Sequence, residues 1–124
     1  MAIRVRELTF PSVERMGIEI AERKGRGHPD TICDALAERF SVALSKAYLD
    51  AFGTLMHHNV DKALLVAGMA EPRFGGGEVL EPADFYMVGR VTTEYKGKKI
   101  DVEGIFRETA LEFFRKNFKH LDPE

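Results

Sequence analysis

The spacing of apolar residues changes along the chain, and each change marks an element. From Pro29 to about Ala51, Ile32, Leu36, Phe40, Leu44 and Ala47 recur at three- and four-residue steps, while Asp34, Glu38, Arg39, Ser41 and Lys46 fall elsewhere. This predicts a long amphipathic helix, stopped by Gly53. A second helical stripe, Val102, Ile105, Phe106, Thr109, Ala110 and Phe113, runs to about Phe118 behind Asp101, a good N-cap. Between them the apolar run Ala63 to Ala67 suits a central strand buried on both faces. Residues Phe85 to Tyr95 alternate, with Phe85, Met87, Gly89, Val91, Thr93 and Tyr95 on one face. Lys96-Gly-Lys-Lys99 turns that strand, and Glu71-Pro-Arg-Phe-Gly-Gly-Gly77 reads as a flexible hairpin or gating loop. Near the start, Ile3 to Leu8 alternate weakly, as an edge strand before Pro11 would. Met16, Ile18 and Ile20 alternate more cleanly toward Glu22. The order β-β-α-β-β-α predicts an α+β fold, a mixed or antiparallel sheet with helices packed on one face.

The stretch Glu22-Arg-Lys-Gly-Arg-Gly-His-Pro-Asp30 joins the second alternating run to the first helix. Pro29 suits the first helical position, and Asp30 complements the helix dipole. The position before that proline usually holds Ser, Thr, Asp or Asn. Here it holds His28, a good hydrogen-bond donor to an oxyanion. Gly25 and Gly27 allow close backbone approach, and Arg23, Lys24 and Arg26 put positive charge around a helix end. Together these features describe a phosphate site, although an ordinary strand-to-helix loop accounts for the same composition. Glu22 lies on the apolar face if its strand persists, where it must be paired or bind a cation; if the strand has ended, it faces water.

Farther on, His57 and His58 point to opposite faces of an extended chain, so they do not share one metal without a bend. One of them, with Asp61, is a candidate for lining a cleft at the strand entrance. Cys33, the only cysteine, sits within the helix pattern as a buried thiol and excludes an internal disulfide. A chain of 124 residues, 44% of them hydrophobic, is one domain by size, and its net charge of −2 argues against a nucleic-acid or membrane surface. No leader or membrane-spanning run is apparent, and a cytoplasmic location is expected.

The stretch Glu22-Arg-Lys-Gly-Arg-Gly-His-Pro-Asp-Thr-Ile-Cys-Asp34 resembles the N-terminal signature of archaeal S-adenosylmethionine synthetases (methionine adenosyltransferases). His57-His-Asn-Val-Asp-Lys62, Phe74-Gly-Gly-Gly-Glu78 and Lys119-His-Leu-Asp122 resemble the same family in type and order. The resemblance implies an N-terminal portion of a longer chain built from three similar α+β domains. Residues 1–124 are then one such domain or a fragment of it. It implies a reaction of ATP with L-methionine that releases diphosphate and phosphate, in a homodimer whose sites lie between subunits. His28 would be catalytic, donating to the oxygen that leaves the ribose 5′ carbon, and Asp30 would hold Mg²⁺. Glu22, His58 and Asp61 would add ATP contacts, with K⁺ as a second cation, and Lys24 and Arg26 are assigned to phosphate attraction by their proximity alone. One departure stands out: where other branches have Gly-Gly-Glu after the buried strand, this chain has Ala67-Gly-Met69. The portion alone is expected to be inactive. Two other readings remain, a non-catalytic Mg²⁺-dependent nucleotide or polyphosphate-binding domain, and a structural dimerisation fragment.

Overall fold

The computed structural model describes residues 3–7 and 9–123. Helix α1 spans Pro29–Phe52 and ends on Gly53 in the left-handed conformation (φ 72°), whose N–H donates to Leu49 O. Helix α2 spans Val102–Asn117, with the Asp101 carboxylate accepting from the Gly104 N–H at 2.9 Å. Strands β1 (His58–Val66) and β4 (Asp84–Val91) pair antiparallel. Strands β2 (Met69–Arg73) and β3 (Gly76–Glu81) make a hairpin, and β5 (Glu94–Tyr95) and β6 (Lys98–Lys99) a short one. Positive φ at Lys96 and Gly97 closes the β5–β6 turn in the mirror-image form that suits twisted strands. The α+β class with antiparallel strands and helices on one face is therefore observed.

Both helical stripes bury as their spacing predicts. Ile32, Leu36 and Phe113 form one core cluster with Leu65, Phe85, Phe114 and Phe118 around it. Phe40, Leu44 and Tyr48 form a second, against Val60, Val91, Ile105 and Phe106. The start of α1 thus meets the end of α2, so the helices run antiparallel across the inner face of β1–β4. Tyr48 takes the place that periodicity gave to Ala47. It is fully buried, and its hydroxyl accepts the Thr92 N–H at 3.0 Å, fastening α1 to the chain just beyond β4.

Four expectations change. Ile3–Glu7 and Met16–Glu22 form no strand, and Leu8 lies outside the described residues. Both stretches are exposed, and no strand among the described residues pairs with them to complete their backbone hydrogen bonds. A 3-10 turn at Val13–Arg15 separates them. The run from Ala63 is covered on one face only: Leu65 points to the helices, whereas Leu64 and Val66 are exposed, as are Tyr86, opposite Leu64, and Val88 on the neighbouring strand. The strand from Phe85 breaks after Val91, where the Thr92 side chain donates to His57 O and its backbone to Tyr48. Of the two expectations for Glu71–Gly77, the hairpin is the one observed, with Phe74 fully exposed beside Gly75 at its tip.

Stability should follow this burial. Leu44→Ala is expected to cost about 2–5 kcal/mol, since Leu44 is wholly buried, while Ile20→Ala, at an exposed position, should leave the urea midpoint essentially unmoved. Comparable losses in the two variants would contradict the core as described.

Candidate active site

The first turn of α1 carries the candidate chemistry, and burial of Ile32 and Leu36 fixes how that turn faces. His28 is the N-cap: its Nδ1 accepts the Asp30 N–H at 3.1 Å. The sequence pattern made histidine a poor cap, yet an unprotonated ring nitrogen can fill that role. Accepting through Nδ1 has a chemical consequence. In the neutral ring the proton must then sit on Nε2, which is left as a directed donor. The residue is exposed, and Nε2 has no partner among the described residues.

Lys24 closes the loop by an ion pair with the Asp30 carboxylate. Hydrogen bonding to Lys24, followed by its charge, holds the Asp30 carboxyl below the usual carboxylate range and raises the Lys24 ammonium. Both side chains are more than half exposed, so the pair is open to competition from solvent ions. Between them the His28 N–H donates to Gly25 O at 3.1 Å, a turn that brings Lys24 back over the helix start. Arg26, Arg23 and Glu22 are exposed and make no hydrogen bond or ion pair among the described residues. Of the two expectations for Glu22, the solvent-facing one describes its position.

A support that sequence reasoning missed comes from α2. A Cβ built on Gly27 would lie 3.8 Å from the Phe118 ring, which packs edge-on to Phe113 and tilted against Phe114. The aromatic end of α2 thus backs the loop and carries Lys119-His-Leu-Asp122 to the same end of the molecule. The clustering of three phenylalanines just before that motif was the available signal. Cys33 is half-buried, its thiol pushed up by burial and hydrogen-bonded to the Leu65 backbone.

His58 and Asp61 lie elsewhere. His58 faces α1, where Nε2 meets Ser41 Oγ at 2.8 Å and Nδ1 meets Met56 O at 3.2 Å. A carbonyl only accepts, so Nδ1 holds the proton and Nε2 accepts from the serine. Ser41 is thirteen residues beyond His28 on α1, about 20 Å at the helical rise. Asp61 faces outward by the alternation of β1, at a bulge between Val60 and Lys62 that turns Lys62 outward too, and the two side chains pair there. The structure therefore groups Lys24, His28 and Asp30, with Arg26 beside them, and keeps His58 and Asp61 apart from that group.

Comparison with known proteins agrees with the motif reading. The family model described as S-adenosylmethionine synthetase (AdoMet synthetase) matches residues 1–124. The chain is 57% identical over 120 residues to a probable S-adenosylmethionine synthase of Aquifex aeolicus, covering 97% of this chain and 30% of that protein. It is 51% identical over 124 residues to the S-adenosylmethionine synthase of Aeropyrum pernix, with 97% and 30% covered. For the Haloarcula marismortui S-adenosylmethionine synthase the identity is 48% over 120 residues, again with 97% and 30% covered. The chain spans about 30% of the length of these relatives.

Two measurements check the geometry. Nitrogen-15 NMR of the neutral His28 ring should report an unprotonated Nδ1 and a protonated Nε2; the opposite tautomer would contradict the cap. Lys24→Met should return the Asp30 carboxyl upward toward the ordinary carboxylate range, read from its ¹³Cγ shift against pH. Since the folded value is lowered, whatever stability the pair supplies is present above the ordinary range and lost as pH falls through the lowered one. An unmoved midpoint in that variant would remove Lys24 as the cause.

Proposed function

Because this chain belongs to the S-adenosylmethionine synthetase family, in its archaeal form, we propose that it supplies the leaving-group side of an active site that makes S-adenosylmethionine from ATP and L-methionine. In that reaction a sulfur lone pair of methionine forms a bond to the ribose 5′ carbon. The 5′ carbon–oxygen bond breaks, and its electron pair leaves with the triphosphate, which is then hydrolysed to diphosphate and phosphate. The requirement is to stabilise charge growing on the oxygen that departs, using donors already in place.

His28 is the residue we assign to that oxygen. The observation that supports the assignment is its divided hydrogen bonding: Nδ1 is engaged with the Asp30 N–H, which leaves Nε2–H free to donate outward. Lys24 and Arg26 are the cations assigned to the phosphates, and the exposed Glu22 at the loop entrance is assigned to the nucleotide. The Asp30 carboxylate suits Mg²⁺, a hard ion that takes oxygen ligands, and it already attracts the Lys24 ammonium. No group of three or more metal-capable side chains forms among the described residues. Phosphate oxygens and ligands from beyond this segment must therefore complete the coordination. Bound there, Mg²⁺ would neutralise charge on the triphosphate. For K⁺, the other cation implied by the family, we assign no residue.

The chain is proposed to act as one α+β segment of a longer multi-domain enzyme, in line with the 30% of its relatives' length that it spans. A second copy is the proposed partner, and the exposed apolar outer face of Leu64, Val66, Tyr86 and Val88 supports such an association. No helix among the described residues is long and apolar enough to cross a membrane. The proposed setting is the cytoplasm.

In a full-length enzyme containing this segment, His28→Ala is expected to lower kcat by roughly 100-fold or more, the scale of a lost oxyanion donor, with methionine binding little changed. Normal turnover would remove His28 from catalysis. The 124-residue chain alone should form no S-adenosylmethionine from ATP, L-methionine and Mg²⁺ when products are separated by chromatography. Turnover by the purified chain would show that this segment needs no further ligands.

A further inference from the structure

We infer that Lys24 is a stand-in cation: its ammonium holds the Asp30 carboxylate until a divalent ion arrives, and then passes to the polyphosphate. The inference rests on the proposed role of Asp30 as a metal ligand and adds an order of events at that carboxylate. Lys24 and Asp30, six positions apart, are joined across a loop that contains Gly25 and Gly27. Nothing surrounds the position that a side chain on Gly25 would take, so this part of the loop has room to reshape. The negative charge of Asp34, one turn farther along the same helix, also acts on Lys24. The ammonium therefore sits where the local field draws a cation.

The ion pair is not what holds the helix start together. The backbone of that turn is capped by His28 Nδ1 and by the bond from the Ile32 N–H to His28 O, and the helix itself is held by its buried stripe. With side-chain exposures of 55% and 57%, the two partners form a weak association that a divalent ion can replace. The choice of lysine fits such an exchange. Its compact charge sits on a flexible stem, whereas an arginine would grip a carboxylate through two parallel hydrogen bonds. Arg23 and Arg26 flank it, yet neither takes Asp30. Once released, the Lys24 ammonium lies within the same loop as Arg26 and His28, the groups that face the phosphates in the proposed site.

The test uses a full-length enzyme containing this segment, with Mg²⁺ as the first probe and inorganic tripolyphosphate as the second. Mg²⁺ is titrated while the Asp30 ¹³Cγ and Lys24 ¹⁵Nζ resonances are followed in the wild type, Lys24→Met and Asp30→Asn. Metal addition should move both resonances together in the wild type, as the ammonium is displaced. Lys24→Met should bind Mg²⁺ about two- to fivefold more tightly, the range that competition from an exposed ion pair can impose. With Mg²⁺ saturating, the same variant should bind tripolyphosphate several-fold more weakly. A lysine that served only to brace the loop would lower the melting temperature on replacement without producing these opposite shifts. Equal Mg²⁺ affinity in the wild type and Lys24→Met, with weaker binding by Asp30→Asn, overturns the exchange and leaves Asp30 as the metal ligand. Undiminished Mg²⁺ binding by Asp30→Asn, or no response at Asp30 in any of the proteins, overturns the metal assignment and the exchange with it.

Discussion

The structure depends on the burial of one helical stripe. Of the buried apolar side chains among the described residues, Ile32, Leu36, Phe40, Leu44 and Tyr48 all stand on a single face of α1, and Phe113 of α2 is the sixth. Residues four apart on a helix share a face, so this row extends about 24 Å along the axis at the helical rise. A contact of that length fixes both the direction of α1 and its rotation about its own axis. The first turn cannot swing without withdrawing Ile32 from Phe113, Leu65 and Phe118. The position of the candidate site is in this sense a by-product of core packing.

What precedes the helix is held differently. The loop from Glu22 to Gly27 is exposed throughout, with Phe118 behind Gly27 and an open ion pair above it. A serine or aspartate cap would satisfy the helix start as well as His28 does. Histidine adds a second ring nitrogen, whose protonation is set by what the first one accepts. The cap therefore does two things at once: it closes the helix start and aims a proton outward. This arrangement places a donor, a carboxylate and exposed cations around one helix start, on a base held by core packing.

The contrast with the other histidine pair is instructive. His58 has both ring nitrogens engaged, one by Ser41 and one by Met56 O, and its ring lies 5.7 Å from that of Tyr48. It ties β1 to the middle of α1. Asp61 belongs by alternation to the outer face, and the bulge that follows sends Lys62 outward as well, so that Ala63 and Leu65 return to the inner side. Strict alternation from His58 would have put Lys62 toward the helices. The bulge is what keeps that charge in water.

Sequence alone determined the elements whose periodicity and end signals agree. The limits of both helices, the caps at Asp101 and Gly53, the turn at Lys96-Gly97 and the Gly75 hairpin follow from local chemistry, and four motifs in a fixed order were enough to identify the family. The clustering of Lys24, His28 and Asp30 was legible for the same reason, since they lie within seven residues of one another at a helix start. Tertiary structure decided whatever depends on a neighbour. Met16, Ile18 and Ile20 alternate as a strand would, but pairing needs a second strand, and none among the described residues lies beside them. The run from Ala63 has the composition of a doubly covered strand, yet only one layer of helices covers it. Phe118 reaches Gly27 across some ninety residues of chain because α1 and α2 pack antiparallel, and the bulge at Asp61 is fixed by the register of β1 against β4. Spacing along one segment encodes which face is apolar; what that face meets is set only when distant segments come together.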